Sequence, residues 1–210
     1  GAMVSKYRNA GQTCVCSNRL IVQDSVYDAF VEKLISATRD LKVGDGMEDG
    51  VAIGPLVNKQ AAEDVSKLVD DSVAAGAGVA LGGGMHELGG YFYQPTVLTD
   101  VTADMPVFRN EIFGPVAPVT RFSDEDEAIA LANDTEFGLA SYFYTRDIGR
   151  VWRVGEALEY GIVGINEGLI SNAMAPFGGI KESGSGREGS VYGIDDYVEI
   201  KYMLMGGLSR

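Results

Sequence analysis

Short apolar runs alternate along this chain with stretches of helical period, and that alternation restricts the fold more than any other feature. Arg19 to Gln23 reads as a buried strand. From Ser25, residues Val26, Phe30, Leu34, Thr38 and Leu41 fall on one helical stripe, with Asp24 or Ser25 as N-cap, until Gly44-Asp45-Gly46 stops it. A second helix is predicted from Asn58 to Ala75, with Val65, Leu68, Val69 and Val73 inward, and a strand follows over Ala77 to Leu81. Tyr91 to Val101 is extended but carries a proline, which predicts an edge or a broken strand. Val116 to Phe122 is another strand, and Ser123-Asp124-Glu125-Asp126 opens a helix with a capping-box pattern. Leu139 to Thr145 (strand), Asp147 to Leu158 (helix) and Gly161 to Asn166 (strand) continue the series. A glycine-rich loop and a short helix then lead to a last strand, Tyr197 to Met205. The pattern predicts an open, mostly parallel α/β sheet in one domain, with a terminal strand appended.

The formal charge is −13, so the chain repels phosphate backbones and nucleic-acid binding is excluded as an expected function. No apolar run approaches the ~20 residues of a membrane span, and no signal peptide opens the sequence. Gly1-Ala2-Met3 reads as a remnant of an expression tag, with the native segment starting near Val4 inside something longer. Two cysteines in a chain of 210 residues do not make a disulfide scaffold, so a reducing compartment is expected. That compartment is the cytoplasm, or the mitochondrial matrix in a eukaryotic source.

Both cysteines lie in KYRNAGQTCVC, residues 6 to 16. A metal clip needs further ligands, and the one histidine, His86, offers a single candidate, so no metal site is expected. A Cys-His dyad depends on the same lone residue. Cys16, followed by Ser-Asn and a strand, reads equally well as core packing. Cys14 follows Asn-Ala-Gly-Gln-Thr, a polar turn whose N–H groups can lower a thiol pKa and cradle an oxyanion.

Three other loops bear on Cys14. Glu111-Ile112-Phe113-Gly114-Pro115-Val116 sets a carboxylate and a ring just before a strand. Asn166-Glu167-Gly168-Leu169-Ile170-Ser171 leads into Pro176-Phe177-Gly178-Gly179-Ile180-Lys181-Glu182-Ser183-Gly184, which joins a ring to glycines that allow close backbone approach. Each alone also reads as a loop packed on the core. Taken together, G-Q-T-C, E-I-F-G-P-V and P-F-G-G-x-K-x-S-G-x-G-R-E resemble the aldehyde dehydrogenase superfamily, from about Lys6 to Leu208. Y-R-N-A-G-Q-T-C-V-C, N-E-G-L-I-S and G-R-E-G-S are most similar to the succinate-semialdehyde branch.

The resemblance implies a three-layer α/β catalytic domain over residues 4–195 and an oligomerisation strand and tail over 196–210, giving a homo-oligomer. It implies that Cys14 is the nucleophile, that Glu111 holds the nicotinamide ribose of NAD or NADP, and that Phe113 packs beside the nicotinamide. Phe177 becomes a wall of the aldehyde pocket. Arg8 and Ser171 match carboxylate-binding positions, and an arginine fork suits a carboxylate better than lysine does. The plain alternative for Arg8 is a surface salt bridge. Apart from the resemblance, the one-residue spacing alone makes Cys16 a candidate redox partner able to close onto Cys14. The family's general base and second oxyanion donor belong to a dinucleotide-binding domain, and no strand-linked G-x-G-x-x-G is present. The chain therefore resembles an isolated catalytic half, expected to bind cofactor weakly and to be inactive alone. The alternatives are a non-catalytic α/β module serving subunit contacts, or an aldehyde dehydrogenase of another substrate class.

Overall fold

A computed structural model describes residues 1–207. Its centre is a four-stranded sheet in the order β1 (Leu20–Gln23), β6 (Val116–Phe122), β5 (Thr96–Thr99), β4 (Gly78–Leu81). β1 and β5 run parallel to β6, and β4 pairs antiparallel with β5. Val97, Leu98, Val116, Ala117 and Val119 are fully buried, as near-continuous apolar strands must be when both faces of a sheet are covered. Three short pairs stand apart from this sheet: β2 (Lys42–Val43) with β3 (Val51–Ile53), β7 (Phe137–Gly138) with β10 (Ile180–Lys181), and β8 (Ala140–Phe143) with β9 (Ile162–Ile165). The mixed α/β class with a mostly parallel sheet is as the sequence predicts.

Among the described residues six α-helices accompany these strands: α1 (Ala2–Tyr7), α2 (Tyr27–Arg39), α3 (Lys59–Ala74), α4 (Pro106–Arg109), α5 (Glu125–Asn133) and α6 (Ile148–Ala157). Several caps follow the sequence. Asn58 Oδ1 accepts the Ala61 N–H at 2.8 Å, and Asp147 Oδ1 accepts that of Arg150 at 2.9 Å. At α5 the cap is Asp124, one residue later than Ser123: Asp124 accepts the Glu127 N–H, and the Glu127 carboxylate accepts the Ser123 N–H and hydroxyl, a variant of the capping box. Arg153 and Arg150 then grip Glu125, tying α6 to α5 and holding that carboxyl down at about 2.

Other expectations need correction. Asp24–Val26 forms a 3-10 turn without a side-chain cap, so α2 starts at Tyr27 and Val26 is 52% exposed. The rest of the stripe faces the core as expected, with Leu34 and Thr38 buried and Phe30 and Leu41 packed against it, joined by Tyr27 and Val31. On α3, Val65 and Val69 face inward as expected, joined by Ala62 and Ser72, but Val73 is exposed. Of the two readings for Tyr91 to Val101, the broken strand holds and the edge does not. Pro95 lies just outside the ladder, so β5 starts at Thr96 and pairs on both sides. Ala2 and Met3 begin α1 and pack against the core.

The last predicted strand, Tyr197 to Met205, is not one in the single chain. Asp195–Tyr197 is a 3-10 turn, and residues 198–207 have no ladder partner among the described residues. A strand needs a neighbour to satisfy its backbone groups, and here Ile200 is wholly exposed with Leu204 at 83%. Residues 208–210 of the predicted tail lie outside the described residues.

Candidate active site

The thiol turn begins where α1 ends. The Tyr7 hydroxyl donates to the Thr96 carbonyl at 2.8 Å, fixing that helix end on β5. Arg8–Gly11 then make a tight 3-10 turn in which Asn9 (φ 50°), Ala10 (φ 55°) and Gly11 (φ 75°) are left-handed in succession. Two non-glycine residues in that region are costly and persist only when their surroundings over-determine them. Asn9 Nδ2 donates to the Gln12 carbonyl at 3.0 Å, and Gln12 Nε2 donates back to the Asn9 carbonyl at 3.2 Å. Gln12 Oε1 also accepts the Val57 N–H at 2.8 Å. At Gly11 even one carbon is excluded, because a Cβ would stand 2.1 Å from the Gly114 carbonyl oxygen. Gly114 is itself pressed against Val65 of α3. The two motifs G-Q-T-C and E-I-F-G-P are therefore in backbone contact.

Cys14 is the second residue of a turn closed by the Cys16 N–H on the Thr13 carbonyl at 2.8 Å. Both thiols are free, with Cys14 exposed and Cys16 half-buried. The Cys16 Sγ donates to the Arg8 carbonyl at 3.8 Å. Nearby, Lys6 is fully buried, and burial pulls its amine down to about 8, while Cys16 and Glu111 act to raise it. A cation is thus enclosed beside the thiol segment and the loop carboxylate. Sequence reasoning missed it, since lysine is almost always a surface residue. Arg8 is half-buried, and its guanidinium joins no salt bridge among the described residues.

Glu111 is exposed on a loop that Asn18 clasps from both sides. Asn18 Nδ2 donates to the Asn110 carbonyl at 2.8 Å, and its Oδ1 accepts the Ile112 N–H at 2.9 Å. Ile112 is buried, which anchors the loop, and Phe113 stands 43% exposed at φ 50°. A held, solvent-facing carboxylate two residues before an open ring can accept hydroxyl groups and offer a flat apolar face to a ligand. Asn18 was not foreseen, although its place four residues after Cys14 was visible.

Ser171 and Phe177 line one open groove of about 400 Å³, with Asn172 and Glu188. Phe177 is fixed by a reciprocal backbone pair with Glu188 at 2.9 and 2.8 Å. The Ser171 loop starts at Asn166, whose amide bonds both backbone groups of Thr145, and the Glu167 carboxylate accepts the Gly168 and Leu169 N–H groups. No hydrogen bond among the described residues joins Ser171 or Phe177 directly to Cys14. A second groove, about 490 Å³, runs from Gly179 to Arg187 and holds none of the predicted site residues. Gly184 to Gly189 has the G-x-G-x-x-G spacing, but the next element is only the 3-10 turn at Asp195, so no helix N-terminus faces a pyrophosphate there. Among the described residues no group of three or more His, Cys, Asp or Glu side chains could hold a metal.

Residues 1–203 match the model of the aldehyde dehydrogenase family. The chain is 63% identical to the NADP-dependent succinate-semialdehyde dehydrogenase of Escherichia coli (strain K12), over 98% of its own length and 43% of that protein. It is 62% identical to a glutarate-semialdehyde dehydrogenase of Pseudomonas aeruginosa, over 99% of its length and 43% of that protein. The crystal structure of a succinate-semialdehyde dehydrogenase from Burkholderia pseudomallei superposes with a TM-score of 0.95 at 61% identity, covering 96% of this chain and 42% of that one. The chain belongs to the aldehyde dehydrogenase family, and it spans about two-fifths of the length of the relatives it matches.

Proposed function

We propose that this chain is the thiol-bearing part of an enzyme oxidising a short aldehyde with a terminal carboxylate, succinate semialdehyde foremost, to the acid. The observation that carries the reading is Cys14, exposed at the tip of a turn that Gly11, Gln12 and Gly114 hold rigid. Its thiolate attacks the aldehyde carbon to give a thiohemiacetal, and its own N–H donates to the developing oxyanion. Loss of hydride leaves a thioester on Cys14, which water hydrolyses to release the acid and the thiol. NAD or NADP, when bound, supplies the hydride acceptor; Glu111 and Phe113 are the residues here that would hold its ribose and ring. Arg8 and Ser171 receive the substrate carboxylate, and Phe177 walls the aldehyde chain. Succinate and glutarate semialdehydes share that terminal carboxylate and differ in length, so two relatives named for them support the class more strongly than the length.

Brief iodoacetamide treatment followed by peptide mass spectrometry checks the nucleophile. Cys14 should label several times faster than Cys16, which is half-buried and committed to the Arg8 carbonyl. Equal labelling would remove the assignment. Peroxide should join Cys14 and Cys16 with loss of two waters per bridge formed, and reductant should reopen so short and strained a ring. Thiols that only overoxidise would exclude Cys16 as a redox partner.

We also propose that residues 196–210 pair with a second copy of the chain, because the Met203 to Met205 run lies bare in the single chain. Sedimentation of the chain with and without these residues should show a concentration-dependent oligomer and a monomer respectively. A monomer in both cases overturns this. A reducing cytoplasm or mitochondrial matrix suits two free thiols; among the described residues no helix is long and apolar enough to cross a membrane.

A further inference from the structure

One tyrosine connects the thiol turn to the loop that carries Ser171, and the reading of the site leaves it without a role. Tyr142, on β8, sends its hydroxyl to the Val15 carbonyl at 2.6 Å. Val15 lies between the two cysteines and is 2% exposed, so this carbonyl has little access to water. The ring is seated on β9, where Gly164 stands directly opposite it in the parallel pair. A Cβ at Gly164 would come within 2.7 Å of Tyr142 Cδ1, 2.9 Å of Ile170 and 3.1 Å of the Glu167 carbonyl. The same few ångströms therefore hold the ring and the start of the Ser171 loop. Burial pushes the phenol up to about 12, with Arg8 acting the other way, so the hydroxyl keeps its proton and donates throughout the neutral range.

We infer that Tyr142 is a positioning residue for the nucleophile: its hydroxyl fixes the Val15 peptide, and so sets the Cys14 turn against Arg8 and the Ser171 loop. The β8–β9 pair is separate from the main sheet, and this bond is the link nearest the cysteines between that pair and the thiol segment, whose start also packs on Gly168 and Tyr144. Removing the hydroxyl leaves a buried carbonyl unpaired. The peptide then turns to find water, and because Val15 separates the cysteines, both thiols move. The inference rests on the assignment of Cys14 as nucleophile.

The test uses the whole chain and competitive iodoacetamide labelling, read as the Cys14 to Cys16 rate ratio. Tyr142→Phe keeps the ring on Gly164 and deletes the one bond. The ratio should fall by about fivefold, the change expected for losing one neutral hydrogen bond. Tyr160→Phe is the control, since its hydroxyl also donates to a backbone carbonyl, that of Ala132 at the end of α5, and in addition accepts from Arg19, so its loss is at least as disruptive. That variant should lower the thermal midpoint comparably and leave the labelling ratio unchanged. A wild-type chain that labels both thiols equally removes the nucleophile reading, and this inference with it. A wild-type preference for Cys14 that survives Tyr142→Phe overturns the positioning role alone. Equal shifts in both variants would assign the effect to general loosening, and a Tyr142→Phe chain that no longer folds by circular dichroism would make the bond a requirement of folding; either overturns the proposal.

Discussion

Mixed with succinate semialdehyde and NAD⁺ or NADP⁺, the 210-residue chain is expected to generate no reduced-cofactor absorbance above a protein-free control. Glu111 and Phe113 offer purchase at the nicotinamide end, but among the described residues no glycine-rich turn opens a helix that could receive a pyrophosphate. A hydride acceptor that is not held must meet the thiohemiacetal from solution. Fixed geometry is worth effective concentrations of roughly 10⁵ M and upward, so about 7 kcal/mol or more of barrier lowering is forfeited. The thiol chemistry can still begin, which separates this outcome from simple misfolding. A chain that alkylates selectively at Cys14 yet turns over no cofactor is the expected pair of results. Sustained turnover from a pure sample would show that these residues position the dinucleotide themselves.

In an active enzyme carrying these residues, Arg8→Ala should raise KM for succinate semialdehyde about tenfold or more. For an uncharged aldehyde of similar length, KM should scarcely change. A charge-assisted bond to a carboxylate contributes ~1.5–3 kcal/mol, which is the origin of that factor. The guanidinium is free to make it, since it joins no salt bridge among the described residues. Ser171→Ala should act in the same direction more weakly, at about 0.5–1.5 kcal/mol, because a hydroxyl is neutral. A uniform loss across charged and neutral aldehydes would give Arg8 a structural role, through the turn whose carbonyl already receives the Cys16 thiol.

The alternation of apolar runs and helical stripes was enough to read the α/β class, and local chemistry was enough for the helix starts at Asn58 and Asp147 and the capping pattern near Asp124. These features depend on residues three or four apart, which a sequence displays directly. On α2 only Val26 was misplaced, because Asp24–Val26 is a 3-10 turn that lies ahead of the helix. Pro95 marked a true break, but only the fold shows that β5, starting one residue later, pairs on both sides rather than at an edge. At the site, the motif residues were legible while the residues that hold them were not. Gln12 works through Val57, Asn18 through Asn110 and Ile112, and Tyr142 through Val15; each bond crosses a distance that only the fold closes. Lys6 gave no signal at all, because nothing in its neighbours announces burial.

The contact between Gly11 and Gly114 has a consequence for how the molecule is made. It admits no side chain on either partner, so the thiol turn takes its final shape only when the loop before β6 has been seated against α3. Loop-closure entropy must be met before so distant a contact contributes, which places it late in folding. During synthesis Cys14 leaves the ribosome well ahead of Gly114, and until then it is an ordinary cysteine in a mobile chain. If Cys14 is the nucleophile proposed above, its reactivity is acquired with tertiary structure and lost with it. A destabilised variant would forfeit its selective thiol before its helices melted, and differential alkylation would report on the integrity of the fold earlier than far-UV spectroscopy.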